Sequence, residues 1–367
     1  MDIEPPQRSP IPNVSTSSLP RFELAIDSEQ YDHAFELDPH LVATLSRRHI
    51  LLLDTSVWIR LADRNDELAA RIADRLIRLK DAEKIICPLA PPTIWELRKQ
   101  TGASLTRMAE LMEELSENVT FRSHEQIFDS EIESFLSYLI TGNFKPLSLN
   151  QRFGPLLSYL APGYRLTKAK MSLTQQGNAH LHQSVSSMRL TTLAKWLGDK
   201  SSPPLSSKYD PLSTSRQRRE LAGNSVDLAR RIETEFIARE HVLPRLKKMQ
   251  ADMTISERLR ITSKIDALPR SRRYGSAIEH LLRFTPALAA LVEVQTISGL
   301  DITRKNSPND FFDRELLIYA LSYSGSFAVI DRWISSLVAL SRQGHYFSFY
   351  EFANSLEALN SLLDRHT

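Results

Sequence analysis

Apolar residues along the chain fall into two patterns, short continuous runs and longer helical spacings, and their order outlines an architecture. The run Ile50-Leu51-Leu52-Leu53 follows His49 and stops at the polar triplet Asp54-Thr55-Ser56. Such an uninterrupted aliphatic run predicts a strand buried on both faces, as in a parallel sheet. Helical spacing predicts a helix from about Val57 to Lys80. Ile85-Ile86-Cys87-Pro88-Leu89 predicts a second strand. Pro91, Pro92 and Thr93 then open a helix that carries Ile94-Trp95-Glu96-Leu97. Ser104 to Leu115 reads as helix and Val119-Thr120-Phe121 as a third strand. This alternation is the grammar of an α/β domain built on a parallel sheet.

From residue 124 the strand pattern stops. Leu-rich helical spacing covers 129–140, 179–197, 217–250, 254–267 and 275–298, with Pro, Ser and Gly gathered at 142–164 and 198–215. The first pattern then returns. Phe311 to Tyr323 predicts a helix, and Phe327-Ala328-Val329-Ile330 ends at Asp331 as the first run ended at Asp54. Trp333 to Leu340 predicts a helix, Tyr346-Phe347-Ser348-Phe349 a last strand and Glu351 to Leu363 a last helix. The expected organisation is a polar tail with short helices over 1–44, one α/β domain split into 45–123 and 301–367, and an all-α insertion over 124–300. A segment that long is expected to have its own core.

In open parallel sheets, ligands bind beyond the carboxyl ends of the strands. Asp54 and Asp331 belong at that edge, and Glu96 follows the second run by a few residues. Asp310 and Asp313 share one face at the start of their helix through i, i+3 spacing. Each acid alone also reads as a helix cap or a complement to a helix dipole. Together they predict a crowded carboxylate cluster, which a divalent cation neutralises. An all-oxygen ligand set selects Mg²⁺ or Mn²⁺ over zinc. Such ions promote hydrolysis of phosphodiesters.

These segments resemble PIN-domain nucleases. Leu51-Leu52-Leu53-Asp54-Thr55-Ser56 is similar to the opening strand of that family, and Pro88 to Leu97 to the motif that supplies its Glu. Asn309-Asp310-Phe311-Phe312-Asp313 is similar to its third motif and Phe327-Ala328-Val329-Ile330-Asp331 to its fourth. The resemblance implies a PIN-like sheet and an Mg²⁺- or Mn²⁺-dependent endonuclease. It further implies Asp54, Glu96, Asp313 and Asp331 as metal ligands, Asp310 completing the catalytic set, and Thr55 and Ser56 supporting the site. Two features depart from the family pattern: the large insertion, and Ile330 where a Thr or Ser usually precedes the fourth acid.

Composition changes the picture in one respect. The 367 residues include 46 Lys and Arg and 44 Asp and Glu, a formal net charge of +2. That sum hides an asymmetry: residues 141–290 hold 25 basic and 11 acidic side chains, an excess of fourteen positive charges. The rest of the chain, which holds the proposed ligands, is correspondingly acidic. A basic segment beside an acidic metal site suits a polyanion, with RNA as the expected substrate. Arg216, Arg218 and Arg219, and Arg270, Arg272 and Arg273, form the densest clusters. Tyr164, Tyr209 and Tyr274 lie near basic residues and suit stacking on unpaired bases. The alternative is an inactive PIN-like scaffold whose basic insertion binds RNA or protein. A toxin or defence nuclease with an inhibitory protein partner is a further expectation of role. The single cysteine, Cys87, excludes a disulfide framework within the chain. The polar start and the absence of a spanning apolar run predict a cytoplasmic protein with no membrane partner.

Overall fold

A computed structural model describes residues 36–97, 99–156, 158, 188–198, 218, 220–223, 225–251, 253–266, 275–300, 309–341 and 351–367. The elements of the first part are α1 (Pro39–Leu45), β1 (His49–Leu53), α2 (Thr55–Asp63), α3 (Glu67–Asp81), β2 (Ile85–Ile86), α4 (Pro91–Leu97), α5 (Gly102–Ser116) and β3 (Val119–Phe121). The middle contributes α6 (His124–Thr141), α7 (Leu149–Arg152), β4 (Phe153–Pro155), α8 (Leu190–Gly198), α9 (Val226–Ile237), α10 (Leu243–Ala251), α11 (Ile255–Asp266), α12 (Gly275–Leu282) and α13 (Pro286–Ser298). A π-helical turn over Ala238–Val242 joins α9 to α10. The chain then forms α14 (Asn309–Tyr323), β5 (Ser326–Ala328), α15 (Arg332–Ser341), β6 (Glu351–Ala353), α16 (Leu356–Leu363) and a 3-10 turn over Asp364–His366.

The fold is mixed α/β: a four-stranded, all-parallel sheet flanked by helices, with helix dominating the chain. Its strand order is β2-β1-β5-β6. Leu51, Leu52 and Leu53 pair with Ser326, Phe327 and Ala328, and these pair in turn with Glu351, Phe352 and Ala353. The two-residue period of a strand sends neighbouring side chains to opposite faces. Accordingly Leu52, Ile86 and Phe327 join one apolar cluster, while Leu51, Leu53, Ile85 and Ala328 join the other. The first cluster is filled by α6 and α13 to α15, the second by α2, α3, α5, α8 and α16. The sheet is thus the middle of three layers.

Several expectations need correction. The long helix expected over 57–80 is two helices, because Arg64 takes a left-handed conformation and Asp66 caps a new start through Leu68 N and Ala69 N. The third strand, β3, does not join the parallel sheet as a full member. It pairs antiparallel with β4, inside a region expected to be loop, and meets the parallel strands only beside Leu89. The strand expected over 346–349 lies outside the described residues; Glu351–Ala353, expected to open the last helix, is a strand, and that helix begins only at Leu356, where Ser355 caps it. Among the described residues, the helical insertion shares a core with the sheet where a separate one was expected. Leu288, Leu291 and Ile297 of α13 share one continuous cluster with Leu52 of β1, Leu317 of α14 and Phe327 of β5. The expected polar tail at 1–35 lies outside the described residues. No helix among the described residues is long and apolar enough to cross a membrane.

Candidate active site

The strand order places a topological switch point between β1 and β5, since the chain leaves β1 toward β2 but leaves β5 toward β6. Such a point opens a crevice at the carboxyl ends of the strands. Asp54 follows β1 directly and Asp331 lies just past β5, so the two acids flank it. Asp54 is buried and caps α2, accepting hydrogen bonds from Ser56 N at 2.9 Å and from Ser56 Oγ. Ser56 Oγ also accepts Ile330 N at 3.3 Å, which ties the end of β1 to the end of β5.

Glu96 reaches the cleft from α4. The Thr55 hydroxyl donates to its Oε2, and Lys99 Nζ donates to its Oε1 at 2.7 Å. The two hydroxyl residues after Asp54 therefore each hold one carboxylate. Asp310 and Asp313 arrive on the first turns of α14, Asp310 fully buried and Asp313 partly so. Asp331 is exposed at the rim, where its Oδ1 caps α15 by accepting Trp333 N at 2.8 Å and Ile334 N at 3.0 Å. Capping and clustering are both realised by Asp54 and Asp331, so the two readings of a strand-end acid do not compete here.

The electrostatics report the convergence. Burial pushes the Asp313 carboxyl up to about 8, and the charges of Asp54, Glu96, Asp331 and Asp310 push in the same direction. Burial also raises Asp54 to about 6, against the lowering effect of its Ser56 hydrogen bonds, with Glu96 adding repulsion. Five acids from four separate segments are thus within electrostatic reach of one site. No three of them bring ligand oxygens mutually within 4.8 Å.

The chain matches no protein-family model, no curated protein and no solved structure.

The basic residues singled out from the sequence fare differently. Arg216, Arg219, Arg270, Arg272 and Arg273, with Tyr164, Tyr209 and Tyr274, lie outside the described residues. Arg218 is described, and its guanidinium is engaged within the fold. It binds Glu233 through two hydrogen bonds of 2.9 Å and lies 3.7 Å from the Phe236 ring centroid. Reading the sequence missed Lys99. Its ammonium bonds Glu96 and sits 5.0 Å from the Phe312 ring centroid, beside the two acids of α14. The signal for it was the i, i+3 spacing from Glu96, which puts both on one face of a helical turn.

Proposed function

We propose that the protein is a divalent-metal-dependent nuclease of PIN-like architecture that cleaves RNA. The observation that carries this reading is the convergence of Asp54, Glu96, Asp310, Asp313 and Asp331 at the switch point, with Asp313 pushed up to about 8. Like charges so crowded are stabilised either by protons or by a cation. The donors are all carboxylate oxygens, which fits Mg²⁺ or Mn²⁺. Asp54, Glu96, Asp313 and Asp331 would hold one or two such ions, in part through bound water. When bound, such ions promote attack of water on a phosphodiester and stabilise charge on the departing oxygen.

The chain's own residues prepare that chemistry. Ser56 and Thr55 fix the orientation of Asp54 and Glu96, so little reorganisation is needed when the site loads. Asp313 would give up its proton on binding of a cation. Lys99 balances Glu96 and would supply a cation to a substrate phosphate. The choice of RNA rests on the basic excess of residues 141–290.

The test is cleavage of structured and unstructured RNA and DNA with Mn²⁺ and with chelator. Asp54→Asn and Asp313→Asn should each reduce cleavage to background while leaving the circular dichroism spectrum unchanged. Full activity in both purified variants, or cleavage indifferent to chelator, would overturn the reading. Mn²⁺ should also raise the melting temperature of the wild type and not that of Asp54→Asn.

A further inference from the structure

At the opposite edge of the same sheet, three ligand-type side chains meet where β1 and β6 begin. His49 opens β1, Glu351 opens β6 and His366 lies in the 3-10 turn after α16. Among the described residues, this is the one trio of His, Cys, Asp or Glu whose ligand atoms all lie within 4.8 Å of one another. Asp54 stands five residues along β1 from His49, or about 16 Å of extended chain. The trio is therefore separate from the carboxylate cleft.

We propose that His49, Glu351 and His366 form a binding site for a zinc-class transition ion, with Nε2 of each histidine and Oε2 of Glu351 as ligands. Two imidazoles and one carboxylate make a borderline ligand set that selects Zn²⁺ over Mg²⁺ or Ca²⁺, with a fourth position open to water. Tetrahedral zinc with bonds near 2.0–2.1 Å sets neighbouring donors about 3.3 Å apart. The separations from Glu351 Oε2 straddle that value: 3.0 Å to His366 Nε2 and 3.8 Å to His49 Nε2.

The surroundings are built to hold the trio. Gly325 makes room for the His49 ring, because a Cβ there would come within 2.6 Å of its Cε1. The two imidazoles stack with centroids 4.1 Å apart. Arg365 holds the other oxygen of Glu351 at 3.0 Å, and Ser326 Oγ donates to Oε2 at 2.8 Å, so outer contacts orient the carboxylate. Arg75 of α3 fixes the turn that carries His366, bonding Asn360 O at 3.1 Å and pairing with Asp364 at 2.7 Å. His366 Nε2 and Ser326 Oγ both meet Glu351 Oε2, at 3.0 and 2.8 Å, and His49 Nε2 bonds the same Ser326 hydroxyl at 2.6 Å. A cation bound there would replace the His49–Ser326 contact and join both Nε2 atoms to that oxygen.

The experiment uses the full chain, stripped of metal and titrated with Zn²⁺, and with Co²⁺ as a spectroscopic substitute. The wild type should bind one Zn²⁺ that excess Mn²⁺ does not displace, give the visible absorption of four-coordinate Co²⁺ and melt at a higher temperature with Zn²⁺. His366→Ala and Glu351→Gln, each checked for native circular dichroism, should weaken Zn²⁺ binding at least tenfold and lose the Co²⁺ spectrum. Asp54→Asn should keep both. The proposal is overturned if the wild type takes up no Zn²⁺, if His366→Ala binds as tightly as wild type, or if Asp54→Asn removes the ion. It does not depend on nuclease activity.

Discussion

Asp313 sits partly buried among four other carboxylates, and its proton links the stability of the cleft to its chemistry. An ordinary aspartate titrates near 3.8, whereas burial and neighbouring charge bring this one to about 8. The folded chain therefore holds this proton more tightly than the unfolded chain does. Stability from that difference is complete below about pH 4 and is lost as pH rises toward 8. Asp54, raised to about 6, adds in the same direction, as does Glu131, raised to about 7 by burial. The metal-free protein should thus unfold at progressively lower denaturant as pH rises through this window, and Mn²⁺ should reverse the loss. Asp313→Asn should flatten the slope, leaving the part due to Asp54 and Glu131. A denaturant series across pH, with and without Mn²⁺, checks both. Asp54 and Asp331 were legible in the sequence because each ends an aliphatic run, and Asp310 and Asp313 because of their helical spacing. His49, Glu351 and His366 were not, since only the register of β1, β5 and β6 brings such distant positions together.

Among the elements, α13 shows how the insertion is fastened. Its start is buried, so its first amide groups need partners inside the protein. Glu131 of α6 supplies them, accepting Ala287 N at 2.7 Å and Leu288 N at 3.2 Å, and it also accepts the Tyr323 hydroxyl from α14. One carboxylate therefore joins three helices. Glu293 of α13 is 1% exposed and is held by two hydrogen bonds from Arg230 of α9, at 3.0 and 3.1 Å. Glu131→Leu should destabilise the fold by about 2–4 kcal/mol, since it strands two buried amides and a phenol. Arg230→Ala should cost about 3–5 kcal/mol by leaving Glu293 charged and alone. Denaturant midpoints read both. Helical periodicity revealed these helices, but spacing within one helix says nothing of a partner on another. The short strands β4 and β6 escaped notice for a related reason. Three residues carry too little pattern, and in Phe153-Gly154-Pro155 the Gly and Pro argue for a turn.

For the molecule as a whole, the split that composition suggests does not divide the core. The charge asymmetry is real in the sequence, yet helices from residues 124–300 line both faces of the sheet, through α13 on one and α8 on the other. The order strand, helix, insertion, helix, strand was legible. That the insertion completes the sandwich was not, because amphipathic helices show that a face is buried and not against what. The two halves should therefore unfold in one cooperative transition, with calorimetric and van't Hoff enthalpies in agreement. Two separate transitions would assign the insertion a core of its own.

The central strand has a consequence for what changes in length the chain tolerates. β1 touches both apolar layers through alternate leucines, begins at the Gly325 cradle and ends at the Ser56-bound carboxylate. Adding or removing one residue between His49 and Asp54 would invert the leucines and displace one end from its partners. The strand thus acts as a ruler. These six positions are fixed in number as well as in kind.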